Sequence, residues 1–232
     1  MRLFLIRHAE SELNRDRTNV GGRSSWCELS ERGLAQARAL GRRMRREEMK
    51  FDRFISSTAV RAQQTARWAL SEYAEFPLWR LESSPVLEEV FYGDFEGRPR
   101  HLSYTQETLE RLRADPWTFA PPNGESLAEA SERARAFFDD LAESSPGRRV
   151  GVVSHGMVIR AALTTLLGTR EAEVLEWSVR NTSIHELELG EAGWSLVRQN
   201  DTQHLDDDGV EGLPGNLNAI FLNPGAPDGP MR

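Results

Sequence analysis

The 232-residue chain contains one cysteine, Cys27, and one lysine, Lys50. A single cysteine excludes an internal disulfide and every zinc or iron–sulfur site built from several cysteines. A single lysine leaves 28 of the 29 basic residues as arginine. No Gly-Lys-Ser/Thr element is present to form a P-loop, and Lys50, in the charged stretch from Arg45, reads as solvated rather than as a Schiff-base amine. A Gly-x-Ser-x-Gly elbow and a dinucleotide glycine fingerprint are missing too. Apolar runs such as Leu3 to Ile6 and Val150 to Val153 stop after four residues, against the about 20 needed to span a bilayer. Four apolar residues before Arg7 are also too few for a secretory signal, so a cytoplasmic protein is expected. Positive charge is not in excess: the net charge of −7 recruits neither nucleic acid nor an anionic membrane, so any anion site must be local.

What the chain does have is an alternation of two periodicities. Leu3 to Ile6, Phe54-Ile55, the region of Trp79 to Leu81 and Val150 to Val153 read as short strands, the first and last as strands buried on both faces. Helical spacing follows over Ser30 to Met49, Ala59 to Tyr73, about 101 to 113, 126 to 142 and 158 to 167. Ser30 caps the first of these, Ser126-Leu-Ala-Glu129 is a capping box, and Gly168 ends the last. Pro85 to Gly97 reads as ordered loop, and Ser183 to Leu189 with Trp194 to Gln199 as a hairpin turning at Glu191-Ala-Gly193. The expected fold is α/β, a three-layer α/β/α sandwich with a mainly parallel central sheet. One domain over residues 1–205 is expected, with 98–123 standing over the sheet as a small helical cap and 206–232 as a flexible tail. The hairpin adds an antiparallel edge able to pair across a two-fold axis in a homodimer.

Ligands of open α/β sheets bind where the strands end. Arg7-His8 follows the first strand, Ser56-Ser-Thr58 and then Arg61 the second, and Ser154-His155-Gly156 the buried strand at 150–153. Two of the five histidines thus end the two clearest strands, and two arginines join them. Guanidinium and imidazole N–H groups match the oxygens of a phosphoryl group, which points to a phosphomonoester ligand. A neutral histidine can also take the phosphoryl group covalently if the leaving oxygen receives a proton. Glu88 or Glu89 is the carboxylic acid at hand.

The stretch Leu5-Ile-Arg-His-Ala-Glu-Ser11 resembles the signature of the histidine phosphatase superfamily, the phosphoglycerate mutase-like phosphatases. Further segments resemble it in the same order: Leu29-Ser-Glu-Arg-Gly33, Ser56 to Ala66, Leu87 to Gly97, Gly124-Glu-Ser126, Val152 to Gly156 and Asn200 to His204. The resemblance implies His8 as the nucleophile that becomes phosphohistidine, with Arg7, Arg61 and His155 clamping the phosphoryl oxygens and Asn14 as a nearby polar contact. It implies Glu89 as proton donor, four residues before Gly93, while Glu125 and His204 fall at supporting positions. The backbone amide of Gly156, ahead of a helix, adds an anion donor. No metal and no cofactor are implied, and the flanking arginines would repel a metal ion.

Three departures bear on substrate. Ala9 stands where the family usually has Gly, the Gly21 to Glu28 loop lacks an Asp-x-Pro, and only 26 residues, 98–123, separate Gly97 from Gly124. That insert is too short for the long cap of cofactor-dependent phosphoglycerate mutases, although it carries Arg98, Arg100, Arg111 and Arg113. The expectation is therefore a metal-independent phosphatase acting on a small phosphorylated metabolite. A phosphoglycerate mutase, a protein phosphohistidine phosphatase and a non-catalytic phosphate-binding module are the alternatives. Trp26, Phe91, Tyr92 and Trp117 could stack on a sugar or base, although aromatics in such loops more often pack against the domain.

Overall fold

A computed structural model of the chain describes residues 1–16 and 18–210. In chain order it runs β1 (Arg2–Arg7), α1 (Glu12–Arg15), α2 (Glu31–Arg46), β2 (Arg53–Ser57), α3 (Val60–Tyr73), β3 (Leu81–Ser84), α4 (Arg100–Ser103), α5 (Gln106–Ala114) and α6 (Leu127–Ser144). It continues with β4 (Arg149–Ser154), α7 (Gly156–Leu167), β5 (Ile184–Gly190), β6 (Gly193–Asp201) and α8 (Gln203–Asp207). The strands form one sheet in the order β3-β2-β4-β1-β5-β6. β1 to β4 pair in parallel and the β5–β6 hairpin adds the antiparallel edge.

The continuous apolar runs become central strands because both faces of the sheet are covered. Leu3 and Leu5 of β1 join Val150 and Val152 of β4 in a core with α6 and α7. Their alternate neighbours Phe4, Ile6 and Val153 point the other way, into a core with Leu40 and Met44 of α2 and Ala66 and Leu70 of α3. Strand alternation thus divides one sheet between two cores. Residues Val20, Phe95, Tyr104, Leu109 and Leu112 make a separate small core that ties the 98–123 region to the loops beneath it.

Several boundaries differ from the sequence expectation. Helix α2 stops at Arg46 rather than near Met49, because Glu48 turns left-handed at φ 48° and Met49 N–H donates back to Met44 O at 3.0 Å. The strand expected at 79–81 begins at Leu81, since Leu78–Arg80 after Pro77 is a 3₁₀ turn. The single helix expected over 101–113 is broken in two by Thr105, whose hydroxyl caps α5. The ordered loop of 85–97 carries 3₁₀ turns at Pro85–Leu87 and Gly93–Phe95. The tail expected from residue 206 is docked at its start, Arg46 pairing with Asp207 and Arg42 with Asp208; residues 211–232 lie outside the described residues. Among the described residues no helix is long and apolar enough to cross a membrane.

Gly33 shows how tightly the end of β1 is held. Its amide donates to the capping hydroxyl of Ser30 at 3.0 Å, and a methyl group built on it would run into the Glu10 carbonyl. Glu10 is itself buried and paired with Ser30 and Arg32. Gly33→Ala is accordingly expected to cost about 2 kcal/mol and to lower Tm by about 5 °C, read by calorimetric melting. An unchanged Tm would show that the helix shifts freely away from the Glu10 strand end.

Candidate active site

Parallel pairing of β1 with β4 sets Arg7 beside Ser154, so the residues that follow, His8 and His155, emerge side by side. Their ring centroids lie 5.0 Å apart, and both are buried. β2 ends next to β4, and α3 starts three residues later with Arg61 in its first turn. From there the guanidinium reaches back over the strand ends and joins both rings, donating from Nε to His8 Nε2 at 3.3 Å and from Nη2 to His155 Nδ1 at 3.0 Å.

These bonds fix both tautomers. His8 Nδ1 donates to the Ala9 carbonyl at 2.7 Å, which leaves Nε2 as the lone-pair nitrogen that Arg61 faces. His155 Nδ1 accepts from Arg61, so Nε2 carries the proton and donates to Ser57 Oγ at 2.8 Å. Burial, reinforced by the positive charges of Arg61 and Arg7, holds His8 well below the ordinary histidine value. Burial and then Arg61 do the same for His155. Both imidazoles are therefore neutral at neutral pH. His185 and His204, also buried, are lowered to about 3 by burial first.

Arg61 is fully engaged. Its remaining N–H groups donate to the carbonyls of Gly22, Arg23 and Ser24 at 3.0 to 3.1 Å, binding the 21–28 loop to the strand ends. Arg7 donates from Nη1 to Val179 O at 2.8 Å and passes close to Gly156, where a built Cβ would lie 3.5 Å from Arg7 Nε.

Of the two glutamates, Glu88 turns outward to the hydroxyls of Thr58 and Ser25. Glu89 turns inward, accepting from Val90 N–H at 3.0 Å and from Met157 and Val158 N–H at 3.3 Å each. Helix α7 begins at Gly156, two residues before the apolar run that marks it in the sequence, so these amides belong to its first turn. The segment is held in place by Ser154 Oγ, which donates to Leu87 O at 2.9 Å. Glu125 pairs with Arg133 at 2.6 Å and accepts from Phe91 N–H, and His204 bonds Thr182 Oγ1 at 2.9 Å, both behind the cluster.

The strand ends therefore bring His8, His155, Arg61, Arg7 and Glu89 together with Gly156. Asn14 joins through its side-chain oxygen, which accepts from Ser11 N–H at 3.4 Å and from Asn181 Nδ2 at 3.3 Å. The sequence reading missed three residues of this neighbourhood. Ser57 ends β2 and was visible as a strand-end hydroxyl without an assigned partner. Arg160 is wholly buried one turn into α7, its Nε donating to Trp177 O at 2.9 Å, with burial pulling it down to about 10, so it stays charged at neutral pH. Asn181 lies in the 178–183 segment, where neither periodicity nor a motif marks it. The aromatic residues sort differently from one another: Trp26 is 73% exposed and Phe91 lies at the rim under Arg23, whereas Tyr92 and Trp117 pack into the core. Under the cap a cavity of about 30 Å³ is lined by Val90, Tyr92, Tyr104, Phe119, Leu127 and Met157, among others.

Comparison with known proteins agrees with this arrangement. The model of the histidine phosphatase superfamily (branch 1) matches residues 3–202. The 2,3-bisphosphoglycerate-dependent phosphoglycerate mutase of Methylobacterium radiotolerans is 33% identical over 184 residues, 77% of this chain and 84% of the relative. Among solved structures, the alpha-ribazole phosphatase of Shigella flexneri is similar with a TM-score of 0.73 at 28% identity, covering 87% of this chain and 97% of that one. The mycobacterial glucosyl-3-phosphoglycerate phosphatase in complex with inorganic phosphate gives a TM-score of 0.73 at 26% identity, covering 88% and 98%.

Proposed function

The chain belongs to the histidine phosphatase superfamily, and on that footing we propose that it is a metal-independent phosphatase hydrolysing a small phosphorylated metabolite in the cytoplasm through a phosphohistidine intermediate. The observation that carries this reading is the state of His8: neutral, with the proton fixed on Nδ1 by the Ala9 carbonyl and the Nε2 lone pair aimed at the cationic group that would bind the phosphoryl oxygens. In the first step Nε2 attacks phosphorus, the ester P–O bond breaks, and the leaving oxygen takes a proton from Glu89. In the second, water attacks the phosphohistidine, gives a proton back to the Glu89 carboxylate, and the N–P bond breaks to restore neutral His8. Arg7, the Gly156 amide and Asn14 hold the phosphoryl oxygens; Arg61 joins them by giving up its Nε bond to His8, which also frees the attacking lone pair, and His155 by turning its Nε2–H away from Ser57.

A mutase reading is favoured by the relatives named phosphoglycerate mutase, at 33% identity in one case and 31% over 89% of this chain in another. The cap supports hydrolysis instead: two of its arginines are occupied, Arg100 over the Tyr104 ring and Arg111 over Phe119, at 5.3 and 5.7 Å. Phosphate release from a panel of phosphomonoesters in excess chelator tests the proposal. Turnover of at least one ester is expected, with no isomerisation of 3-phosphoglycerate in the presence of a bisphosphoglycerate primer. Isomerisation without net phosphate release would make it a mutase, and activity lost to the chelator would refute the metal-free mechanism.

A further inference from the structure

We propose that Asn181 is a positioning residue for the phosphoryl site, acting through Asn14; the inference rests on the reading of that site as one that binds phosphate. Asn181 is buried, 2% exposed, on the segment between a 3₁₀ helix at Glu171–Glu176 and β5. Its side-chain amide donates twice: to the backbone carbonyl of the nucleophile His8 at 3.0 Å and to Asn14 Oδ1 at 3.3 Å. Both partners are acceptors only, which fixes the orientation of the Asn181 amide, since a flipped one would set oxygen against oxygen at both contacts. The same logic passes to Asn14. Its oxygen is claimed by Asn181 and by Ser11 N–H, so its Nδ2 donors point away from both, from the other side of Cγ.

The Asn181 Oδ1 atom is buried with no donor among the described residues. What its amide does give, the two Nδ2 donors, is spent wholly at the catalytic strand end. The segment around it is fastened to the same place. Thr182, left-handed at φ 55°, donates its N–H to Arg7 O at 3.0 Å, Val179 O accepts from Arg7 Nη1, and His204 holds the Thr182 hydroxyl. Asn181 is thus presented to His8 and Asn14 by a loop built around β1, 173 residues away in sequence.

A double-mutant cycle on the full chain tests this, with binding of inorganic phosphate measured by titration calorimetry and KM and kcat measured on whichever ester is turned over. Asn181→Ala and Asn14→Ala are each expected to weaken phosphate binding about 10-fold, and the double variant no more than either alone, with KM moving more than kcat. Multiplicative effects of the two substitutions, or a loss confined to kcat and melting temperature, would overturn the proposal. If Asn181→Ala does not fold, Asn181→Ser, which retains one donor, serves in the same cycle: phosphate binding weaker than wild type supports the proposal and wild-type binding refutes it. Phosphate binding that follows the cycle in a protein without turnover would leave the inference standing and remove the phosphatase reading. A wild type that neither binds phosphate nor releases it would remove both.

Discussion

His8→Ala is expected to reduce phosphate release by about 10⁴-fold or more while leaving the protein folded. The size of the effect follows from the lack of a substitute nucleophile. His155 is the nearest ring, but its Nε2 carries a proton held by Ser57; its lone pair lies on Nδ1 and faces Arg61, whereas in His8 it is Nε2 that is unprotonated. Removing the His8 ring deletes one acceptor of Arg61, which keeps the Gly22, Arg23 and Ser24 carbonyls and His155, so the 21–28 loop stays attached. Quenching the wild type during turnover of a labelled ester should trap label on the protein in an acid-labile, alkali-stable form, and the variant should trap none. Turnover by His8→Ala near the wild-type rate, or label that survives the substitution, would remove His8 from the nucleophile's role.

Glu89→Gln is expected to separate substrates by their leaving groups. An alkyl phosphate must expel an alkoxide unless it is protonated, so its kcat should fall about 10² to 10³-fold. A nitrophenyl phosphate leaves as a stable phenolate and should lose about 10-fold at most. Glutamine keeps the oxygen that accepts from Val90 and Val158 N–H and sets its NH2 against Met157 N–H, a change that both esters share, so the difference between them reads proton transfer. Steady-state kinetics on the two esters side by side gives the answer, and equal losses on both would mean that Glu89 shapes the site without moving a proton.

Much of this was legible in the sequence because the strands that matter most are the ones with the plainest signal. Leu3 to Ile6 and Val150 to Val153 are continuous apolar runs because they lie between two cores, and the residues that end them are the histidines. Arg61 was readable from its place in the first turn of a helix after a strand. The choice between Glu88 and Glu89 rested on resemblance alone, since two adjacent acids give no periodic signal; the structure turns one outward and the other onto α7. What could not be read was long-range polar contact. The start of α7 lies in a tight strand-to-helix turn whose residues, His155 and Gly156, carry no helical pattern. The occupation of Arg61 by loop carbonyls, and the two bonds of Asn181, join residues from 37 to 173 positions apart and leave no trace in local spacing.

The burial of His8, His155, His185 and His204 reaches beyond the reaction. An unfolded chain takes up a proton at each of these rings as pH falls below about 6.5, the ordinary histidine value, whereas the folded chain stays unprotonated at His185 and His204 down to about 3 and at the other two well below 6.5. Between those limits unfolding absorbs protons, so each ring lowers stability as the solution is acidified and none does so above about pH 7. Acidification favours the denatured chain by mass action of the proton, and the environment that keeps the nucleophile deprotonated also ties the native state to near-neutral solution.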